Sequence, residues 1–344
     1  MSKKALSIVS VFLLLLLFFV RNTHIFQNLG SDTSKSGPSN LELRQIKDIP
    51  LTGGANRLDY QSIDYETNLL FISHLGSNMV HVFDLNQQQI IKDIPINSSP
   101  YGILAIPSLN KVFVGVGGSN EVAVIDENTL KVIKYIQAGD TPDGIAYDPN
   151  TKRVFVTNEN GGTVTVIDGV KNEHIVDIPV GGSVGNTHYD PVSKNIYSVS
   201  GQDNTLVEID PKSNKIVTKY PTINCSHPHG FYIDEVTHYA LITCQNNDKI
   251  IVFDLDIKKI VFTDTVGSGA DVLAFDPAFH RLYVAAESGV VAFFSIERNN
   301  VRKLGQSFFA DKAHSISINT KTHEAYFPLE NINGKPVLRI YKEK

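Results

Sequence analysis

Seven residues spaced 42 to 44 positions apart carry most of the reactive chemistry in this chain: Asp59, Tyr101, Asp143, Gly185, His229, Asp271 and His314. Five of the seven bear a carboxylate or an imidazole. Fifteen residues after three of them stand His74, Asn158 and Cys244, and sixteen residues after four of them stand Glu159, Gln245, Glu287 and Glu330. Arg57, Asn186, His188 and His227 fall close by in the same register. If these positions converge, carboxylates and imidazoles together can hold a divalent cation. Oxygen donors suit calcium, and mixed nitrogen and oxygen donors suit zinc or another transition metal. The same groups can serve as general acid or base. The plain alternative is that they line a wet, polar surface and are simply solvated.

What would make them converge is the repeat itself. A V-x-V-x-D phrase recurs at Val82–Asp84, Val124–Asp126, Val166–Asp168, Val207–Asp210 and Val252–Asp254, with the aspartates 42, 42, 42 and 44 residues apart. A second phrase, G-I-A-Y-D-P at Gly144–Pro149, recurs with drift at Gly102–Pro107, Thr187–Pro191, Gly230–Asp234 and Val272–Pro277. Each repeat reads as four short strands rich in β-branched and aromatic residues, parted by Asn, Asp, Gly and Pro. No sustained helical period is present, which excludes a βαβ fold. A period near 42 with four strands per unit is the mark of a propeller blade.

One blade cannot cover its own two faces, so every blade needs two neighbours and the array must close. Six repeats begin near residues 57, 99, 141, 183, 227 and 269, and a seventh, starting near Ala313, runs out after its third strand at Val337–Tyr341. Residues 45–51 (QIKDIPL) nearly duplicate the fourth-strand segment 90–96 (IIKDIPI). An all-β, seven-bladed β-propeller over residues 41–344 is therefore expected, with the N-terminal strand closing the last blade. The reactive positions then lie where each inner strand enters the central channel and each second strand ends. That is the mouth of the ring, the default ligand site of such a fold. The aspartates of the V-x-V-x-D phrases recur at one structural position before polar turns, and read as turn caps rather than a catalytic set.

Phe155-Val156-Thr157-Asn158, followed by a Gly-rich turn and Val164-Thr165-Val166-Ile167-Asp168, resembles the YVTN repeat of a β-propeller family. The resemblance runs from about residue 41 to the C-terminus. It implies the propeller fold, and it points to exported proteins of varied role and to several enzymatic propellers. WD-type repeats are disfavoured, because their Gly-His and Trp-Asp signatures are absent and the chain has no Trp. That same lack argues against quinoprotein dehydrogenases, which resemble one another through Trp-based docking motifs.

Two local features bear on the site. In His227-Pro228-His229 the proline sets His227 in the loop and leaves His229 on the strand, so the pair is a weak metal motif and a single structural histidine is the plainer reading. Cys225 and Cys244, the only cysteines, fall at the same end of the fifth blade. A disulfide between them is expected in an oxidising compartment, two buried free thiols being the alternative. Exact antiparallel register would pair Cys244 with residue 229, so the preceding loop must fold back.

Lys3 and Lys4 precede an uncharged apolar run from residue 5 to 20, followed by Arg21. As a helix that run is about 24 Å long, short of the roughly 30 Å hydrocarbon core, so residues 1–29 read as a signal peptide or a retained N-terminal anchor. Residues 30–40 (GSDTSKSGPSN) read as a linker. Either way the body is exported. The net charge is −5, which disfavours nucleic acid as a partner. There is no C-x-x-C-H, which excludes c-type haem, and no nucleophile-elbow, phosphate-loop, zincin or dinucleotide motif. The expectation is an exported monomer that binds a small ligand or a protein partner at the channel mouth, touching a membrane only through an N-terminal anchor. Its rivals are a metal-dependent, lactonase-like hydrolase or lyase at the same mouth and a pure interaction scaffold. The candidate residues are Arg57, Asp59, His74, Tyr101, Asp143, Glu159, His227, His229, Asp271, Glu287, His314 and Glu330.

Overall fold

A computed structural model describes residues 43–343, so the expected signal peptide or anchor and the linker lie outside the described residues. Seven antiparallel four-stranded sheets form the body. The third blade is representative: Pro142–Asp148 lies innermost, then Arg153–Asn158, Thr163–Asp168 and, outermost, Glu173–Pro179. Its two middle strands are buried along almost their whole length and its outer strand is largely exposed. Such a gradient follows from a blade whose flat faces are covered by neighbours and whose rim meets water.

The tight turns are set by the aspartates. Asp148, closing an inner strand, accepts from the Asn150 and Thr151 amides; Asp126, closing a third strand, accepts from the Thr129 amide at 2.8 Å. Asp64, Asp84, Asp168, Asp190, Asp210, Asp234, Asp254 and Asp276 cap their turns in the same manner. The repeated aspartates are thus scaffold, as their repetition at one position predicts.

Seven apolar clusters lie between successive blades. Phe71, Val80 and Val82 of the first blade pack with Ile103, Val112 and Val114 of the second. At the seam, Ile49, Leu58, Leu70 and Phe83 pack with Tyr326, Leu338 and Ile340. The sheet there runs in the order Leu43–Pro50, Lys335–Glu343, Glu324–Ile332, Ser317–Asn319, so the N-terminal strand is the outer strand of the last blade. Ile49 stands opposite Leu338 and Asp48 opposite Arg339. The Arg339 guanidinium donates to both Asp48 oxygens, at 2.7 and 2.8 Å.

Cys225 and Cys244 form a disulfide with Cα atoms 5.1 Å apart. The register differs by one residue from the simple expectation. A bulge between Pro228 and Phe231 sets Cys244 opposite Pro228 instead of residue 229, and the loop carrying Cys225 folds back over the strand end.

Candidate functional site

The bulge beside the disulfide recurs at the entry of the inner strand in five successive blades, between Pro100 and Ile103, Pro142 and Ile145, Val184 and Thr187, Pro228 and Phe231, and Ala270 and Leu273. Each bulge releases two residues from the ladder, and the first of them is Tyr101, Asp143, Gly185, His229 or Asp271. A bulge re-aims side chains that a regular strand would commit to alternate faces. Glycine often follows because neighbouring inner strands nearly touch. A Cβ on Gly102 would lie 1.8 Å from the Asp143 carbonyl oxygen, and one on Gly230 would lie 1.9 Å from that of Asp271.

Six of the expected residues meet directly. Arg57 lies at their centre, 2.6 Å from Glu287 and 3.7 Å from both Asp59 and Asp271. His229 Nε2 stands 3.2 Å from Asp271 Oδ1, and His314 Nδ1 stands 3.7 Å from Glu287. Asp59, Asp143, His229, Asp271 and His314 are all buried. Tyr101 and Asp143 both feel the charges of Asp59 and Glu159, and His229 feels those of Asp143 and Glu159. His227 stands half-buried at the rim, where its amide donates to Asn204. Glu330 is buried beside Lys312 at 3.8 Å.

Burial is the largest influence on these groups. It pushes Asp59 up to about 8 against the pull of Arg57 and lifts Asp143 well above the carboxylate range, with Asp59 adding repulsion. Asp271 is the exception: its bond and charge contact with His229 overcome burial and hold it at about 2. The imidazole of His229 is held at about 9, because Asp271 outweighs the cost of burying its charge. At neutral pH the mouth therefore contains an Asp271–His229 ion pair beside carboxyls that lack sufficient counter-charge.

Three donors converge. One ligand atom from each of Asp59, Asp271 and His314 lies within 4.8 Å of the others. His314 is oriented for such a role: its Nδ1–H donates to the Lys312 carbonyl at 2.9 Å. A carbonyl can only accept, so in the neutral ring Nε2 carries the lone pair, and Nε2 is buried without a partner. Asp59 Oδ1 and Asp143 Oδ1 are buried and unpartnered too. Orientation of a ligating imidazole through its other nitrogen is the usual support in metal sites.

The structure turns His74 elsewhere. It is buried inside the first blade, with Nδ1 2.9 Å from His81 Nε2, and His81 Nδ1 is 2.6 Å from Asp93. The same three positions in the third blade hold Asn158, Thr165 and Asp177, linked at 2.9 and 2.7 Å. The row is a polar ladder within the blade. His188 also lies away from the mouth, lower in the channel, with its ring edge-on to Tyr232 at 4.9 Å.

Sequence reasoning missed Tyr60. Its hydroxyl donates to Asp271 at 3.3 Å and accepts from the Asn186 amide at 2.6 Å, so a bar spans the channel from the first blade to the fourth. The signal was there to find, since the equivalent position is glycine in three blades, Gly102, Gly144 and Gly230.

No protein-family model matches the chain, and no curated protein matches it. Solved structures do. A chain of hydrazine synthase from Kuenenia stuttgartiensis superimposes with a TM-score of 0.69 at 15% identity, covering 81% of this chain and 94% of that one. A chain of the mitotic checkpoint complex superimposes with a TM-score of 0.74 at 11% identity, covering 88% and 93%. At such identities the likeness is one of fold.

Proposed function

We propose that this protein is an exported β-propeller of the YVTN-repeat kind whose channel mouth binds a small oxygen-bearing ligand through a divalent cation held by Asp59, Asp271 and His314. The observation that carries the reading is the convergence of two buried carboxylates and an imidazole whose free Nε2 is oriented by the Lys312 carbonyl. Two oxygen donors and one nitrogen donor suit a first-row ion such as Zn2+ or Mn2+ better than calcium. Three protein ligands leave coordination positions for a ligand oxygen. Arg57 and the imidazolium of His229 flank the cation and would pair with an anionic group on that ligand. Export is supported by the Cys225–Cys244 disulfide, since such bonds persist in oxidising compartments. Among the described residues no helix is long and apolar enough to cross a membrane.

A second reading, a metal-dependent hydrolase of lactonase-like type, is favoured by one feature. His229, protonated beside Asp271, would hand a proton to the leaving oxygen as water adds, and a cation held by Asp59, Asp271 and His314 would supply Lewis-acid polarisation of the carbonyl under attack.

The test is calorimetric titration of chelator-stripped protein with Zn2+ and Mn2+. One equivalent should bind, and His314→Gln and Asp271→Asn should each weaken binding by tenfold or more. Stripped protein that takes up neither ion would remove the cation and leave the interaction-scaffold reading. Lactone turnover that needs the ion and falls in His229→Gln would favour the hydrolase.

A further inference from the structure

Beyond the Tyr60–Asn186 bar the channel opens into a second compartment of about 360 Å³, lined by the inner strands of all seven blades. It reaches the far ends of those strands at Tyr65 and Thr320, so it opens toward the face opposite the mouth. Its chemistry is the reverse of the mouth's. Among the described residues that line it there is no Asp, Glu, Lys or Arg. Aromatic rings dominate one wall, where Tyr232 stands 4.9 Å from His188 and 5.8 Å from Phe275. Burial holds His188 below the usual imidazole range, so it is neutral at physiological pH. Uncharged polar groups stand among the rings: Gln61, Thr187, Ser317 and Thr320, with the Tyr60 and Asn186 groups of the bar.

We propose that this compartment is a second binding site, distinct from the mouth, for a small neutral aromatic or heteroaromatic molecule. Its volume lies at the lower end of the range for small-molecule pockets, and its lining sets aromatic and aliphatic side chains beside uncharged polar groups that can orient a neutral ligand. Rings at these separations favour offset or edge-on contact with a further ring. A charged ligand is selected against, because it would lose its hydration and meet no counter-charge. The bar also separates the two sites, so the ligand enters from the far face and its binding does not depend on the cation.

The experiment uses the full chain and three isosteric probes: benzamide, benzoate and benzylamine, measured by ligand-observed NMR titration at pH 7.5. Benzamide should bind saturably, and both charged probes at least tenfold more weakly. Ser317→Phe, which fills the compartment from a half-buried position, should weaken benzamide by tenfold or more. Ala274→Leu, on the neighbouring wall, gives the same reading should the first variant not fold. His314→Gln should leave benzamide affinity within twofold while lowering zinc affinity, which keeps this proposal separate from the mouth. Benzoate or benzylamine binding as tightly as benzamide, no saturable benzamide binding, or benzamide binding unchanged in a folded filled variant would each overturn it.

Discussion

Ring closure can be tested one side chain at a time on the N-terminal strand. Ile49 is 6% exposed and packs against Leu338 in the cluster that joins the last blade to the first, whereas Ile46, three residues earlier on the same strand, is 38% exposed. Truncating a buried isoleucine to alanine costs about 2–5 kcal/mol, depending on how far the site collapses. At the seam, one outer strand can shift inward more readily than a central one, so about 3 kcal/mol is the working figure for Ile49→Ala. With an unfolding entropy of roughly 2 cal/mol/K per residue, a body of this size would melt about 5 °C lower. Ile46→Ala should move the midpoint by less than about 1 °C, since exposed substitutions usually stay within about 0.5 kcal/mol. The decisive measurement is a double-mutant cycle with Leu338→Ala, read by calorimetry. Ile49 and Leu338 are 289 positions apart in sequence yet opposite in register, and side chains in contact couple by about 0.5–3 kcal/mol. Strictly additive losses, or an Ile49→Ala protein as stable as the Ile46→Ala one, would mean that the N-terminal strand does not hold the ring shut.

Replacing both cysteines by serine releases a crosslink between residues 19 positions apart. The chain-entropy relation gives about 3 kcal/mol for a loop of that length, so chemical denaturation should show a lowered midpoint, and an unchanged one would deny the bond any part in stability. Glu127 is buried with neither oxygen partnered, and burial beside Asp64 raises it to about 8. A carboxyl raised on folding stabilises while protonated, so the native state loses stability as pH climbs from about 4.5 toward 8. Discounted for solvent screening, Glu127→Gln should gain about 2 kcal/mol on the wild type between pH 5 and pH 8; parallel stability profiles for the two proteins would refute this.

The order of the blades was legible in the chain because each carries its own turn and strand signals at a fixed period. Residues 45–51 so closely copy a fourth strand that the closure could be inferred from them. The ring of Asp59, Asp143, His229, Asp271 and His314 was legible for the same reason: equal positions in equal repeats face a common axis. What the repeat could not convey is the direction each side chain takes on reaching that axis. A bulge reverses the alternation on which such reasoning depends, and His74, one place along the neighbouring strand, turns into its blade to meet His81. Tyr60 meets Asn186 across 126 residues, and Arg57 meets Glu287 across 230. Those pairings are decided by the width of a closed seven-bladed channel, a distance that exists only after every blade has packed on its neighbours and that no local stretch of sequence specifies.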